Sequence, residues 1–170
     1  MIVLGIDPGT AATGYGVVTD HSGESRAGGS LSLVECGVIR TAPRDPLSVR
    51  LCGIYDEIRA IIARHRPDVL AIEDVFYAKN VRTTVVLGHA RGVVLLAAQQ
   101  SGMIIFEYPP AEIKKSVVGA GAATKEQVQF MVARLLRLTS APQPNDAADG
   151  VAAALAHLLT ARVPRLERAR

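Results

Sequence analysis

The chain has 170 residues, of which 49% are apolar, with a mean hydropathy of +0.23 and a formal charge of +3. A chain of this length is expected to form one domain and to bury roughly 70% of its unfolded surface, so it needs no disulfide or zinc staple. The mildly basic balance permits nucleic-acid binding without establishing it, and the sequence is read as lacking the run of about 20 apolar residues that spans a bilayer.

The first residues, Met-Ile-Val-Leu-Gly-Ile-Asp, have no basic start and reach an acid too soon for a signal peptide. A soluble, cytoplasmic protein with no membrane partner is expected. Cys36 and Cys52 form no metal spacing and are expected to be buried, reduced thiols. The four histidines, at 21, 65, 89 and 157, are scattered and suit surface or packing roles.

Residues 2–6 form a short apolar run stopped by Asp-Pro-Gly, which reads as a buried strand and a turn. Strands over 14–19 and 31–40 follow, close enough for an antiparallel meander. Pro46 opens a helix to about His65, with Leu47, Leu51, Ile54, Ile58 and Ile61 on one face and Pro67 as the stop. A fourth strand covers 68–74, a long helix runs from about 80 to 101 with Gly102 as its stop, and a fifth strand covers 103–108. Helices are expected over 111–118, 124–138 and 145–161. The order predicts an α/β fold with a five-stranded mixed sheet flanked by helices, in a single domain over 1–161. Residues 162–170 carry four arginines and read as a basic C-terminal tail.

Four acids occupy suggestive places. Asp7 ends the first strand and Glu73 the fourth, and ligand sites in open α/β sheets lie outside the carboxyl ends of strands. If those strands are parallel neighbours, about 4.8 Å apart, the two carboxylates repel unless a cation sits between them. Asp146 and Asp149 are three apart at the start of the last helix and share a face. Oxygen ligands without a histidine or cysteine cluster select Mg²⁺ or Mn²⁺, and two such ions support phosphodiester hydrolysis. Each acid has a plainer reading, as turn residue, strand end or helix cap. Spacing alone does not bring the last helix to the sheet edge.

The motifs themselves point further. Ile-Asp-Pro-Gly-Thr with Thr-Gly-Tyr-Gly-Val-Val (6–18), Ala-Ile-Glu-Asp-Val-Phe-Tyr-Ala-Lys-Asn (71–80), Leu-Gly-His-Ala-Arg-Gly (87–92) and Asn-Asp-Ala-Ala-Asp-Gly (145–150) resemble, in order, the RuvC family of Holliday junction resolvases. The resemblance runs from about residue 2 to residue 160. It implies an RNase H-like fold, a homodimer, and Mg²⁺-dependent paired symmetric nicking of four-way junction DNA in recombination and repair. Mn²⁺ is expected to substitute, with two ions per site. It maps catalytic and metal-binding roles onto Asp7, Glu73, Asp146 and Asp149. Asp74 alternates to the opposite strand face and receives no metal role.

The same resemblance suggests that Phe76 probes bases at the crossover, with Tyr77 beside it. An exposed ring can stack on an unpaired base. Lys79 and Arg82 are placed to meet phosphates. Lys114 and Lys125 match family lysines that serve DNA binding or catalysis. The glycine-containing string before Lys125 is not a Walker A, since no G-K-[ST] appears. The helix over 80–101 combines Val85, Val86, Val93 and Val94 with Gly88 and Gly92, a surface for a two-fold partner or for the core. RuvC-like proteins are expected to work with a junction-binding and branch-migrating complex, RuvA and RuvB. Rival readings are a YqgF-type RNase H-like nuclease acting on RNA, an actin-like phosphotransferase, for which the chain is too short, and a DNA-binding module without catalysis.

Overall fold

The computed structural model describes residues 1–21, 31–74 and 81–162. Five strands, β1 (Ile2–Asp7), β2 (Ala12–Asp20), β3 (Leu31–Arg40), β4 (Val69–Glu73) and β5 (Ile104–Tyr108), form one sheet in the order β3-β2-β1-β4-β5. The first three are an antiparallel meander, while β4 lies parallel to β1 and β5 parallel to β4. The mixed sheet therefore follows the expected plan.

Helices cover both faces. α1 (Leu47–His65) and α2 (Val81–Gln100) pack on one, and α3 (Pro110–Val118), α4 (Lys125–Leu135) and α5 (Asn145–Arg162) on the other. Two-sided cover explains why β1 and β4 are near-continuous apolar runs rather than alternating ones. Leu4, Ile6, Leu70 and Ile72 face α1 and α2, while Val3, Val69 and Ala71 face α5. The predicted stripe of α1 is buried at Ile54, Ile58 and Ile61.

Two local devices set the register. The Asp68 carboxylate accepts from the Ile2 backbone N–H at 2.8 Å, and the Asp68 N–H donates to the Ile2 carbonyl at 2.9 Å. This clamp starts β4 level with β1. The α5 helix is buried almost all round from Ala147 to Leu158, the pattern of a core helix rather than a surface one. It lies directly on β1 and β2 because glycines remove the side chains between them. A Cβ added to Gly150 would sit 2.6 Å from the backbone of Tyr15, and one on Gly14 would collide with the Asp146 carbonyl.

Some expectations need correction. β2 starts at Ala12 rather than at Gly14, because pairing with β3 extends to the Ala12–Arg40 rung. Thr124 caps α4 instead of entering it, and forms a reciprocal capping box with Gln127. Cys36 and Cys52 are both free, but Cys52 is exposed on α1 and Cys36 only partly covered. The α2 helix is, by length and composition, long and apolar enough to cross a membrane, contrary to the sequence reading. Its apolar surface has other uses here: Ala90, Val94, Ala97 and Ala98 are buried in the core, and Arg91 pairs with acids of the sheet.

Candidate active site

Asp7 is the last residue of β1, and strand alternation turns it, with Val3 and Gly5, toward α5. The turn behind it is fixed by Thr13, which is wholly buried. Its hydroxyl donates to the Gly9 carbonyl at 2.6 Å and accepts from the Gly9 N–H at 3.3 Å. Glu73 ends β4 on the same face as Ala71, and the parallel register pairs Ile6 with Ile72, so Asp7 and Glu73 stand side by side.

The α5 helix brings the third acid. Asp149, Asp7 and Glu73 line one cleft of about 220 Å³, together with Lys114 of α3, Lys125 of α4 and the apolar wall of Pro110, Ile113, Val128 and Ala152. Asp146, one turn earlier, does not line this cleft, but its charge is felt by both Asp7 and Lys125. The Lys125 Nζ donates to Asp149 Oδ2 at 2.9 Å. Thus residues from β1, β4, α3, α4 and α5 converge at the carboxyl end of the parallel strands.

The electrostatics follow from crowding. Burial raises the Glu73 carboxyl well above its usual range, and the neighbouring Asp7 charge and hydrogen bond raise it further. Burial also raises Asp7, with Asp149 adding to the effect. The two carboxyls are hydrogen-bonded to each other, so the pair shares a proton. Lys125 opposes both shifts. Among the described residues no three Asp, Glu, His or Cys side chains are already spaced as a cation cage. Instead the like charges are relieved by a shared proton and by Lys125. Carboxylate donors that need a positive charge suit a hard divalent cation, and no His or Cys lines the cleft to select a softer one.

Asp74 turns to the opposite sheet face, as alternation requires, and pairs there with Arg91 Nη2 at 3.4 Å. Arg91 also pairs with Glu107, so α2 is tied to the ends of β4 and β5. The sequence reading assigned Arg91 no role; its only signal was its place in Leu-Gly-His-Ala-Arg-Gly. Phe76, Tyr77 and Lys79 lie outside the described residues. Arg82 is exposed on the first turn of α2 and does not line the cleft. His157 is buried on α5, where its Nδ1 meets the Tyr108 hydroxyl at 2.8 Å. Burial holds its imidazole below its usual value, in keeping with a packing role.

Residues 3–157 match the family model described as crossover junction endodeoxyribonuclease RuvC. This chain belongs to the RuvC family. A RuvC relative from Pelotomaculum thermopropionicum is 49% identical over 157 residues, covering 92% of each chain. The solved Thermus thermophilus RuvC structure superposes with a TM-score of 0.86 at 35% identity, covering 96% of this chain and 97% of that one. The T. thermophilus RuvC in complex with Holliday junction substrate gives 0.84 at 32% identity, covering 95% and 96%. The RuvC-like, RNase H-like fold expected from the four motifs is therefore the fold observed, and the family matched is not the RNA-directed alternative.

Proposed function

We propose that this RuvC-family chain is a structure-selective endodeoxyribonuclease that resolves Holliday junctions by paired symmetric nicks. The observation that carries the reading is the cleft where Asp7, Glu73 and Asp149 meet Lys114 and Lys125, in a chain that shares its fold with a RuvC solved on junction DNA. Asp7, Glu73, Asp146 and Asp149 would hold divalent cations, Mg²⁺ by preference with Mn²⁺ as substitute, two per site. Such ions supply activation of water and stabilisation of the leaving oxygen. The protein's own part is to fix the acids on rigid elements and exclude competing donors. Lys114 and Lys125 line the same cleft and would meet the phosphate, and Asp149, which accepts from Lys125 here, would also hold the cation.

Phe76 and Tyr77 are assigned to base stacking at the crossover, and Lys79 and Arg82 to phosphates. A four-way junction has two-fold symmetry, which a homodimer matches. Val85 and Leu96 are exposed on α2, where they line a groove with Gly88, Gly92, Val93 and Leu51 that suits a second copy. Residues 1–161 act as one nuclease domain with the basic tail outside it. The enzyme is assigned to the cytoplasm, in company with RuvA and RuvB.

The reading is tested by incubating the protein with labelled four-way junction, linear duplex and structured RNA, with Mg²⁺, with Mn²⁺ and with a chelator. Paired nicks in the junction alone, dependent on the cation, are expected. Cleavage of RNA in preference to junction would replace the reading with the RNA-directed one.

A further inference from the structure

The cleft is itself acidic. Its three carboxylates, Asp7, Glu73 and Asp149, outnumber Lys114 and Lys125, and those lysines stand only on the α3–α4 side. A phosphodiester strand crossing it needs cations on the other side as well.

Arg40 closes β3 at the same end of the sheet where Asp7 closes β1. Ile39 faces α1, so Arg40 faces the side that carries the acids. The register runs from Asp7 through Gly14 to Val38, with Arg40 two residues beyond. Two strand spacings and two residues of rise put Arg40 about 12 Å from Asp7.

The chain then turns, exposing Arg44, and α1 returns Arg50 to the same loop. Arg50 Nε donates to the Thr41 hydroxyl at 2.9 Å, and that hydroxyl donates to the Thr10 carbonyl. The Thr41 N–H donates to the Ala11 carbonyl at 3.2 Å. The arginine loop is thereby fastened to the turn that follows Asp7. Arg40 and Arg44 are exposed and form no ion pair among the described residues. Asp45 is the one acid within 40–50 and offsets a single charge of the three.

We propose that Arg40, Arg44 and Arg50 form a phosphate track that holds the substrate strand on the β3 side of the acidic cleft. The proposal rests on the nuclease reading above. It adds a binding surface opposite Lys114 and Lys125, built on a loop that the acid-bearing turn holds in place.

The test is junction binding by the full chain, read by anisotropy across about 50–200 mM salt, where each lost phosphate contact lowers the slope of log affinity against log salt by about 0.9. R40Q/R44Q is expected to bind more weakly, with the slope reduced by about 1.8 for each subunit on the junction and so by about 3.6 for the dimer. R40K/R44K keeps the charge and is expected to restore the slope. R59Q, on an exposed part of α1, is expected to leave it unchanged. A wild-type slope in a folded R40Q/R44Q protein, beside an active wild type, would overturn the track alone. A wild type that neither binds nor nicks the junction would overturn the nuclease reading beneath it.

Discussion

Glu73 and Asp7, on adjacent parallel strands, are joined by a hydrogen bond through a shared proton. The pair titrates as a unit. A divalent cation must displace that proton, so protons and cations compete for the same site.

Activity is therefore expected to rise with pH. The raised Glu73 value of about 8 and Asp7 value of about 6 place the rise between those limits at low cation concentration. More Mg²⁺ should move the rise to lower pH. Cleavage rates measured over a grid of pH and Mg²⁺ check this, and a flat profile across the window would contradict the shared proton.

Stability of the cation-free protein should run the other way. An acid whose value is raised on folding binds its proton more tightly in the native state, so stability falls as pH rises from the unfolded value through the folded one. For Glu73 that window extends from 4.5 to about 8. Thermal melts should show Tm falling across it, with Mg²⁺ reversing the fall and Glu73→Gln flattening it. An upward slope in the chelated protein would be incompatible with this sign.

Lys125 lowers the values of both Asp7 and Glu73. Lys125→Met is expected to reduce cleavage and to shift the remaining pH profile upward. A profile that loses height without shifting would leave Lys125 as a phosphate contact only.

Gly150 lets α5 rest on the backbone of Tyr15. Gly150→Ala places a methyl group where no flexible side chain can yield, an overpacking that costs about 3 kcal/mol or more. Denaturant unfolding gives the number. Wild-type stability in this variant would mean that α5 stands farther from the sheet, and that Asp149 does too.

Glu35 offers a contrast far from the chemistry. It accepts from Arg64 and from the Tyr15 hydroxyl and pairs with His65, and the Arg64 contact leads in lowering its carboxyl to about 2. Its contribution is present above the unfolded value and is lost as pH falls through the folded one. Glu35→Gln should lower Tm by a few degrees at neutral pH, with less effect near pH 2, and leave junction cleavage intact. Lost cleavage in a folded variant would place this cluster in the substrate path.

Much of this architecture was legible in the chain. Short apolar runs ending in Asp7 and Glu73 announced strand ends, and the four-residue steps of Ile54 and Ile58 announced α1. The α5 helix was harder. Its many alanines carry little periodicity, and only the glycines opposite explain how it comes to bear on the sheet. Spacing joined Asp149 to Asp146 but could not bring either to Asp7. That took the family resemblance, and in the structure the cleft itself. Asp146 was paired equally with Asp149, yet it sits at the helix start, outside the cleft wall. Arg91 was unreadable because its partners, Asp74 and Glu107, are distant in sequence and meet only through parallel β4–β5 pairing.

The most direct measurement is Asp7→Asn with a labelled four-way junction and Mg²⁺, binding and cleavage read in the same reaction. The account predicts junction affinity near that of the unaltered protein, with nicking abolished. Lost affinity in a normally folded variant, or nicking that persists, would contradict it.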